Sequence, residues 1–542
     1  MKFFKQLQKF FVVFLFPICA SAVMLRLSFT RIIPGTLIFF ALVPVCVACR
    51  KWTRRQSALG FFLTGLLFYF LLLYWISRQT TAGMIALVIY CSLYFIPFGI
   101  LLGNHGNNLV SIRSKIALSF LFIILEYIRS HLYAGFPWAL FGTALHKETI
   151  LIQLADLTGV YGISFIVIFV NLMIASLFIY TIKAGIKFIL KLRYLYIHTS
   201  LLLFIFSFLI IYGETRLIQP LRKKRIPLQI GLIQPNVDSE TKWNLDEKNR
   251  LIAQYKKLSL GLRDIDLLIW PESVLPGELF YDSKLFSALV EIIEERQVPV
   301  LLGSGNISFE TIFENGRTRT KEIFYNSAYL VGKDGKIKGI YNKIILVPFG
   351  EYIPLKELFP QARHLTPITE SYHPGHQLTV FSLEKERARI PFSAVICIED
   401  IYPHLIRRFV NLGALFIVNV TNDGWYSFTP CAYQHFSLSI FRAVENRRPL
   451  VRCANTGVSA IISPQGEIAH SLSQGHKLTD VPGILKGEIF VERDQKKSFY
   501  TKYGDAFIGF SALAVLAYLF QDKIYSFLRM IKRRHFRKNS LP

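Results

Sequence analysis

Three reactive side chains stand where apolar runs give way to polar ones. Glu272 ends LLIWPES, Lys343 lies within GIYNKIILVPFGEY, and Cys397 lies within SAVICIED. The ends of strands collect reactive groups because the strand fixes position while the following loop leaves the side chain reachable. A glutamate can take the proton of a thiol. A lysine beside the pair lowers the thiol pKa and then holds a developing oxyanion. Together they would perform covalent catalysis through an activated thiol. Their sequence separations say nothing about proximity, and a cysteine flanked by isoleucines suits core packing as well. The residues alone leave both readings open.

The other candidates are weaker. Cys46 and Cys49 have Cys-x-x-Cys spacing but lie in an apolar run without histidine or charged neighbours, so membrane packing is the expectation. Cys431 and Cys453 lack zinc-knuckle spacing, and no HExxH occurs, so no metal is expected. A disulfide between those two is conceivable outside the cytoplasm. LFPICAS (15–21) departs from a lipidation signal at the bulky Ile18. GSGN (303–306) has the wrong glycine offsets for a phosphate loop and reads as a tight turn. Trp243 and Trp425 fall in loops beside strand ends, where packing, substrate contact and membrane contact all suit them.

The elements needed to place these residues can be read from periodicity. Strand-like segments are expected at 226–237, 265–273, 298–306, 390–400 and 414–425. Helical periodicity covers 245–262, 284–297, 401–413 and 434–448. Hairpins are expected around KDGK (333–336) and across Pro464-Gln465-Gly466. Alternating strands and helices predict helix-covered sheets, and the hairpins argue against a purely parallel one. An α-β-β-α sandwich over residues 226–497 fits best.

The rest of the chain is too apolar for a soluble enzyme. Hydrophobic residues form 52% of the 542, against 18% charged, and phenylalanine occurs 47 times. Apolar runs near 9–26, 33–49, 57–76, 83–104, 115–130, 160–182, 198–213 and 504–520 predict about eight spans of a multi-pass α-helical membrane bundle. Glu126 and Arg129 interrupt the end of the fifth and are expected to snorkel to the interface. The first run lacks a clean cleavage site and reads as an uncleaved anchor. Spans one to seven would occupy 1–215, the last span 503–521, and a basic cytoplasmic tail 522–542.

Lysine and arginine set the orientation. Lys2, Lys5 and Lys9, then Arg50, Lys51, Arg54 and Arg55, then Arg113 and Lys115, then Lys183, Lys187, Lys191 and Arg193, and finally the tail all fall on one side if eight spans leave both termini cytoplasmic. The sandwich then lies outside the cytoplasm. Phe136, Pro137 and Trp138 fall on that outer side, in the interfacial setting where tryptophan is common. The net charge of +26 is scattered in short clusters beside apolar runs, which suits anionic lipid and speaks against nucleic acid.

WPES around Glu272, YNKIILVPFGEY around Lys343, CIED around Cys397 and TNDGW at 421–425 resemble the nitrilase superfamily, which uses a Glu-Lys-Cys triad. Seven spans, a nitrilase-like domain and one last span, with LVPFGEYIP and with QPNV ahead of Lys242-Trp243, are similar to the apolipoprotein N-acyltransferases of the bacterial inner membrane. The resemblance covers essentially the whole chain.

It implies two-step transfer. Cys397, with Glu272 as base, would take an acyl chain from a phospholipid, preferentially the sn-1 chain of phosphatidylethanolamine, as a thioester. The N-terminal amine of a diacylglyceryl-cysteine on an apolipoprotein would then receive it. Lys343 and the backbone N–H of Ile398 would hold the oxyanion. Glu351 and Glu399 match family acidic residues needed for activity and would hold Lys343 and the site loops. Trp243 matches a residue of substrate handling in a mobile loop, and Asn422 and Trp425 fall in a matching motif. The resemblance implies no cofactor, a monomer, and a catalytic domain in the periplasm. One departure stands out: Ile398 replaces the aromatic, typically tyrosine, that follows the nucleophile, which affects rate or chain preference more than reaction type. A membrane-bound amidase delivering acyl groups to water, and an inactive nitrilase-like scaffold, are the rival readings.

Overall fold

The computed structural model describes residues 8, 10–104, 111–132, 135–183, 188–218, 225–238, 247–273, 279–314, 317–353, 371–386 and 388–521. Trp243, the basic tail and Lys2, Lys5 and Lys9 lie outside these residues.

Phe11–Ser28, Arg54–Arg78, Thr81–Gly103, Val160–Thr181 and Arg193–Leu217 are long and apolar enough to cross a bilayer. They coincide with five of the eight expected runs, and the count of eight is not confirmed. Run 504–520 forms a helix of only 14 residues, Ala506–Leu519. Run 115–130 lies in the helix Ile112–His131, whose four charged side chains at 113, 115, 126 and 129 lower its hydropathy. Run 33–49 is broken into a 3-10 turn, Gly35–Phe39, and a short helix, Val43–Ala48. Pro34 and Pro44 withhold backbone donors there, and a Cβ on Gly35 would lie 2.0 Å from the carbonyl oxygen of Ala144.

Irregular backbone in an apolar layer needs protein partners. Asn171, buried on the Val160–Lys183 helix, supplies them: its Oδ1 accepts from Leu42 N at 2.8 Å and its Nδ2 donates to Ile38 O at 2.8 Å. Glu126 and Arg129 do the same for the segment after the fifth run, contrary to the expected snorkelling. Both are buried. Glu126 Oε1 accepts from Phe141 N at 2.7 Å, while Arg129 donates to the carbonyls of Phe136 and Trp138 at 2.7 and 2.9 Å.

The remaining chain builds two six-stranded sheets. The first has the order β12-β1-β2-β3-β4-β5 and the second β11-β10-β9-β8-β7-β6. The strands are β1 (Ile226–Gln234), β2 (Leu267–Ile269), β3 (Val300–Glu314), β4 (Arg317–Val331), β5 (Ile337–Asn342), β6 (Phe381–Lys385), β7 (Ala388–Ile396), β8 (Ile417–Thr421), β9 (Leu450–Ala454), β10 (Ala460–Ile462), β11 (Ile468–Ser471) and β12 (Gly483–Val491). Each sheet has a parallel centre, β1-β2-β3 and β7-β8-β9, and antiparallel flanks. The expected hairpins are β4-β5 and β10-β11.

Helices α1 (Lys248–Leu260) and α2 (Ser283–Arg296) cover the outer face of the first sheet. Leu251, Tyr255, Leu285, Leu289 and Ile292 meet Leu268, Val300 and Leu302 in one buried cluster. Leu285, Leu289, Ile292 and Ile293 recur at helical spacing, and Asp282 caps the helix by accepting from Leu285 N at 3.3 Å. Helices α3 (Pro403–Asn411) and α4 (Cys431–Asn446) cover the second sheet. α4 is buried along its whole length although it carries Gln434, His435, Arg442 and Glu445. It lies between the sheet and the membrane bundle, and its polar groups are paired on both sides: Trp75 and Trp138 each donate an indole N–H to Gln434 Oε1, at 3.2 and 3.0 Å, and Glu445 Oε1 accepts from Val160 N at 3.1 Å. Trp138 is thereby buried against the sandwich.

GSGN (303–306) is part of β3, not a turn. Gly303 is there for clearance: a Cβ would lie 2.7 Å from Cα of Glu272 and 3.0 Å from the carbonyl oxygen of Pro271.

Candidate active site

The three reactive residues converge. Glu272 follows β2, Lys343 follows β5 and Cys397 follows β7 directly. Lys343 and Glu272 are buried, and Cys397 is partly covered. Cys397 has φ +52°, a left-handed conformation that turns the chain sharply from strand into the 3-10 turn Cys397–Ile401. Such a conformation costs energy for a residue with a Cβ and persists only where surroundings impose it. Asn419 Nδ2, on β8, donates to Cys397 O at 3.1 Å and helps to hold it.

Lys343 Nζ lies 2.8 Å from Glu351 Oε1 and 3.7 Å from Glu272 Oε1. Asn326, on β4, bridges the same two carboxylates, its Nδ2 lying 2.8 Å from each. Glu351 Oε2 accepts from Val347 N at 2.8 Å, closing its own loop. Burial alone would lower the lysine pKa, yet Glu351, Glu272 and Cys397 outweigh it and raise it, so the ammonium is retained. Burial raises the Cys397 thiol well above its ordinary range. The charges of Glu272 and Asp423 add to that rise, while Lys343 and a hydrogen bond with Thr421 oppose it. The resting sulfur is therefore a thiol, and a base must act as it attacks.

Glu399 does not touch Lys343 directly. Its Oε1 accepts from Tyr341 Oη, Ile344 N and Ile345 N at 2.7, 2.7 and 3.1 Å, and its Oε2 from Ile396 N at 2.8 Å. One carboxylate thus ties the backbone after Lys343 to the strand end before Cys397. Burial pushes its pKa up to about 7 against the pull of those donors. Ile398 is half-buried and packs on the core. Asn422 Oδ1 accepts from Gly424 N and Asn455 Nδ2, and Asn455 in turn holds Val237 through both its amide atoms. Trp425 remains 45% exposed at the mouth of that turn.

The sequence reading missed Asn326, Asn419, Asn455 and a charged cluster behind Cys397 formed by Asp400, Asp423, His435 and Arg452. A buried-phase asparagine in YNSAYL and an arginine inside the apolar run PLVRCA were the available signals. Among the described residues no group of three or more His, Cys, Asp or Glu side chains could hold a metal ion. Cys431 and Cys453 are free thiols, as are Cys46 and Cys49.

Residues 21–173 match the apolipoprotein N-acyltransferase N-terminal domain, and residues 229–482 match the carbon-nitrogen hydrolase family. An apolipoprotein N-acyltransferase of Geobacter metallireducens is 34% identical over 92% of this chain and 94% of its own length. The chain belongs to the apolipoprotein N-acyltransferase family. Other relatives of that name, from Rickettsia typhi and Rhodopseudomonas palustris, are 29% and 30% identical over 84% and 76% of the chain and cover 88% and 73% of their own lengths. The protein is thus a membrane-embedded acyltransferase built from a helical bundle and a nitrilase-like α-β sandwich. Within this N-acyltransferase the two parts meet along α4 and at the turn after β8, where Arg78 donates to Ser427 O and the rings of Trp75 and Tyr426 meet edge to face at 4.6 Å.

Proposed function

We propose that the enzyme moves a fatty acyl chain from a phospholipid to the N-terminal amine of an S-diacylglyceryl-cysteine on an apolipoprotein, through a thioester on Cys397. The observation that supports this reading is Lys343 Nζ set between Glu351 and Glu272, with Cys397 held at positive φ on the neighbouring strand end, in a chain with a membrane bundle. Glu272 takes the thiol proton as Sγ attacks the ester carbonyl. Lys343 and the N–H of Ile398 stabilise the tetrahedral oxyanion. Its collapse breaks the ester C–O bond, and the lysophospholipid leaves with the proton from Glu272. The incoming amine then attacks the thioester, gives its proton to Glu272, and Cys397 departs as a thiol. The amide bond formed replaces the thioester broken.

A bundle beside the site suits two lipid substrates, because moving an acyl chain through water costs roughly 0.8 kcal/mol per CH₂. Phosphatidylethanolamine is the proposed donor. The site would work as a monomer on the periplasmic face of a bacterial cytoplasmic membrane, the side opposite the basic loops. Mass spectrometry of the purified protein after incubation with one defined phospholipid tests the reading. An acyl adduct on the Cys397 peptide, discharged by a diacylated lipopeptide, is expected. Discharge to water at the same rate without lipopeptide would favour an amidase-like hydrolase, and absence of any adduct a scaffold.

A further inference from the structure

Behind Cys397 lies a cluster of four ionisable groups from four separate elements. Asp400 comes from the 3-10 turn that begins with Cys397, Asp423 from the turn after β8, His435 from α4 and Arg452 from β9. All are at least 95% buried. His435 Nε2 lies 2.8 Å from Asp400 Oδ1, and its Nδ1 lies 2.9 Å from Asp423 Oδ1. Arg452 donates to the second oxygen of each carboxylate, at 2.8 and 3.0 Å. Ser439 Oγ completes Asp400 at 2.5 Å. The neighbours facing the cluster are the Trp138 ring, 5.7 Å from the imidazole, and the Cys397 and Cys431 thiols on which Asp423 acts.

A carboxylate only accepts hydrogen bonds, so Nε2, which faces Asp400, carries a proton. Nδ1 faces both Asp423 Oδ1 and the donor Arg452 Nη2, each at 2.9 Å, so contact geometry alone leaves its proton open and the charge balance assigns it. Two buried carboxylates against one guanidinium would leave a net negative charge beside the nucleophile, and a doubly protonated imidazole, drawn to Asp423 with Arg452, cancels it. The titration directions agree. Burial and Arg452 lower the His435 pKa, yet Asp400 and Asp423 raise it above the ordinary value. Burial pushes both aspartates up, but His435 and Arg452 hold them down, Asp423 to about 2.

We propose that His435 is a positioning residue that works as a permanent imidazolium, clamping the Cys397 turn to the Asn422–Tyr426 turn and keeping the buried cluster electrically neutral so that the thiol can ionise during attack. This rests on the acyl-transfer reading of Cys397. Its neighbour Gln434 receives the two tryptophans of the bundle, so the same helical turn anchors the nucleophile and docks the membrane part.

The experiment is a charge-balance cycle in the full-length protein in nanodiscs, reading the rate of iodoacetamide alkylation of the Cys397 peptide at one fixed pH and acyl-adduct formation from phosphatidylethanolamine. His435→Gln leaves the cluster one charge negative and is expected to slow both alkylation and acylation about tenfold. Asp423→Asn leaves it one charge positive and is expected to speed alkylation. The double variant is neutral again and should return the alkylation rate to that of the wild type. Rate changes of the same sign in both single variants, or a double variant more impaired than either, would show a packing role and overturn the proposal. If one single variant does not fold, the sign of the other's rate change decides. Wild-type protein that acquires no acyl group would instead overturn the acyl-transfer reading, an outcome separable from a normal wild type with an unchanged alkylation rate in His435→Gln.

Discussion

Lys343 Nζ is 0.9 Å nearer to Glu351 than to Glu272, the distances being 2.8 and 3.7 Å. Glu351 therefore holds the ammonium more closely than Glu272 does. Glu351→Gln removes the charge and can keep the contacts of only one oxygen, because its NH2 would face either Val347 N or the Lys343 and Asn326 donors. The expected result is a fall in acyl-enzyme formation of about 10²-fold with a lowered melt, read by mass spectrometry and thermal denaturation. Cys397→Ser should accumulate no acyl-enzyme, and an acyl adduct or normal turnover in that variant would overturn the nucleophile assignment.

Asn326 spans the two carboxylates and so fixes their spacing. Asn326→Leu removes both contacts and leaves Glu272 facing an apolar wall. Acylation should slow about 10–100-fold, and Asn326→Asp, which sets three carboxylates together, should slow it further. Equal acylation rates in wild type and Asn326→Leu would sink this assignment.

Gly303 gives the Glu272 loop its clearance. Gly303→Val should shift Glu272 and lower acylation while β3 and β4 remain paired, because the clash is with the backbone of residues 271–272. The check is activity together with amide hydrogen exchange over the paired residues of β3 and β4, which should stay protected.

Gln434→Leu leaves two buried indole N–H groups without their acceptor. Each such loss costs about 1–3 kcal/mol, so the melt of the solubilised protein should fall by several degrees. Trp75→Phe with Gln434→Leu should recover part of that loss, since one orphaned donor is removed with its acceptor.

Acid sensitivity follows from Asp423. Its folded pKa, about 2, lies below the ordinary value of 3.8, so the stabilisation is full above pH 3.8 and is lost as pH falls towards 2. The part due to this group is about 2 kcal/mol. Asp423→Asn should flatten the stability profile across that window, measured by denaturant titration at stepped pH.

The places of Glu272, Lys343 and Cys397 at strand ends were legible from periodicity, as were helices α1 to α4. That the three would meet in one site was not, and only the motifs around them suggested it. Nor were the supporting contacts legible. Asn326 meets Glu272 only because β3 and β4 place it across the sheet from β2, and a linear pattern carries no cross-strand register. GSGN was misread because a glycine needed for clearance looks like one needed for a turn. The broken segment 33–49 has the composition of a span, and its partner Asn171 shows how the chain there departs from one continuous helix. Glu126 and Arg129 looked like interfacial charges because the loop they cap lies after them in the chain.

That partnership with Asn171 has a consequence for biogenesis. Leu42 and the side chain that satisfies it are 129 residues apart. At about 5–20 residues per second, ribosome output puts an interval on the order of ten seconds between them. Until Asn171 is made, Leu42 N and Ile38 O lack this partner. Ribosome-bound chains stopped before residue 171 should therefore leave Cys46 and Cys49 open to a maleimide, whereas the finished protein hides both. The expected order of assembly is a bundle that closes around this segment only once its later helix has been translated.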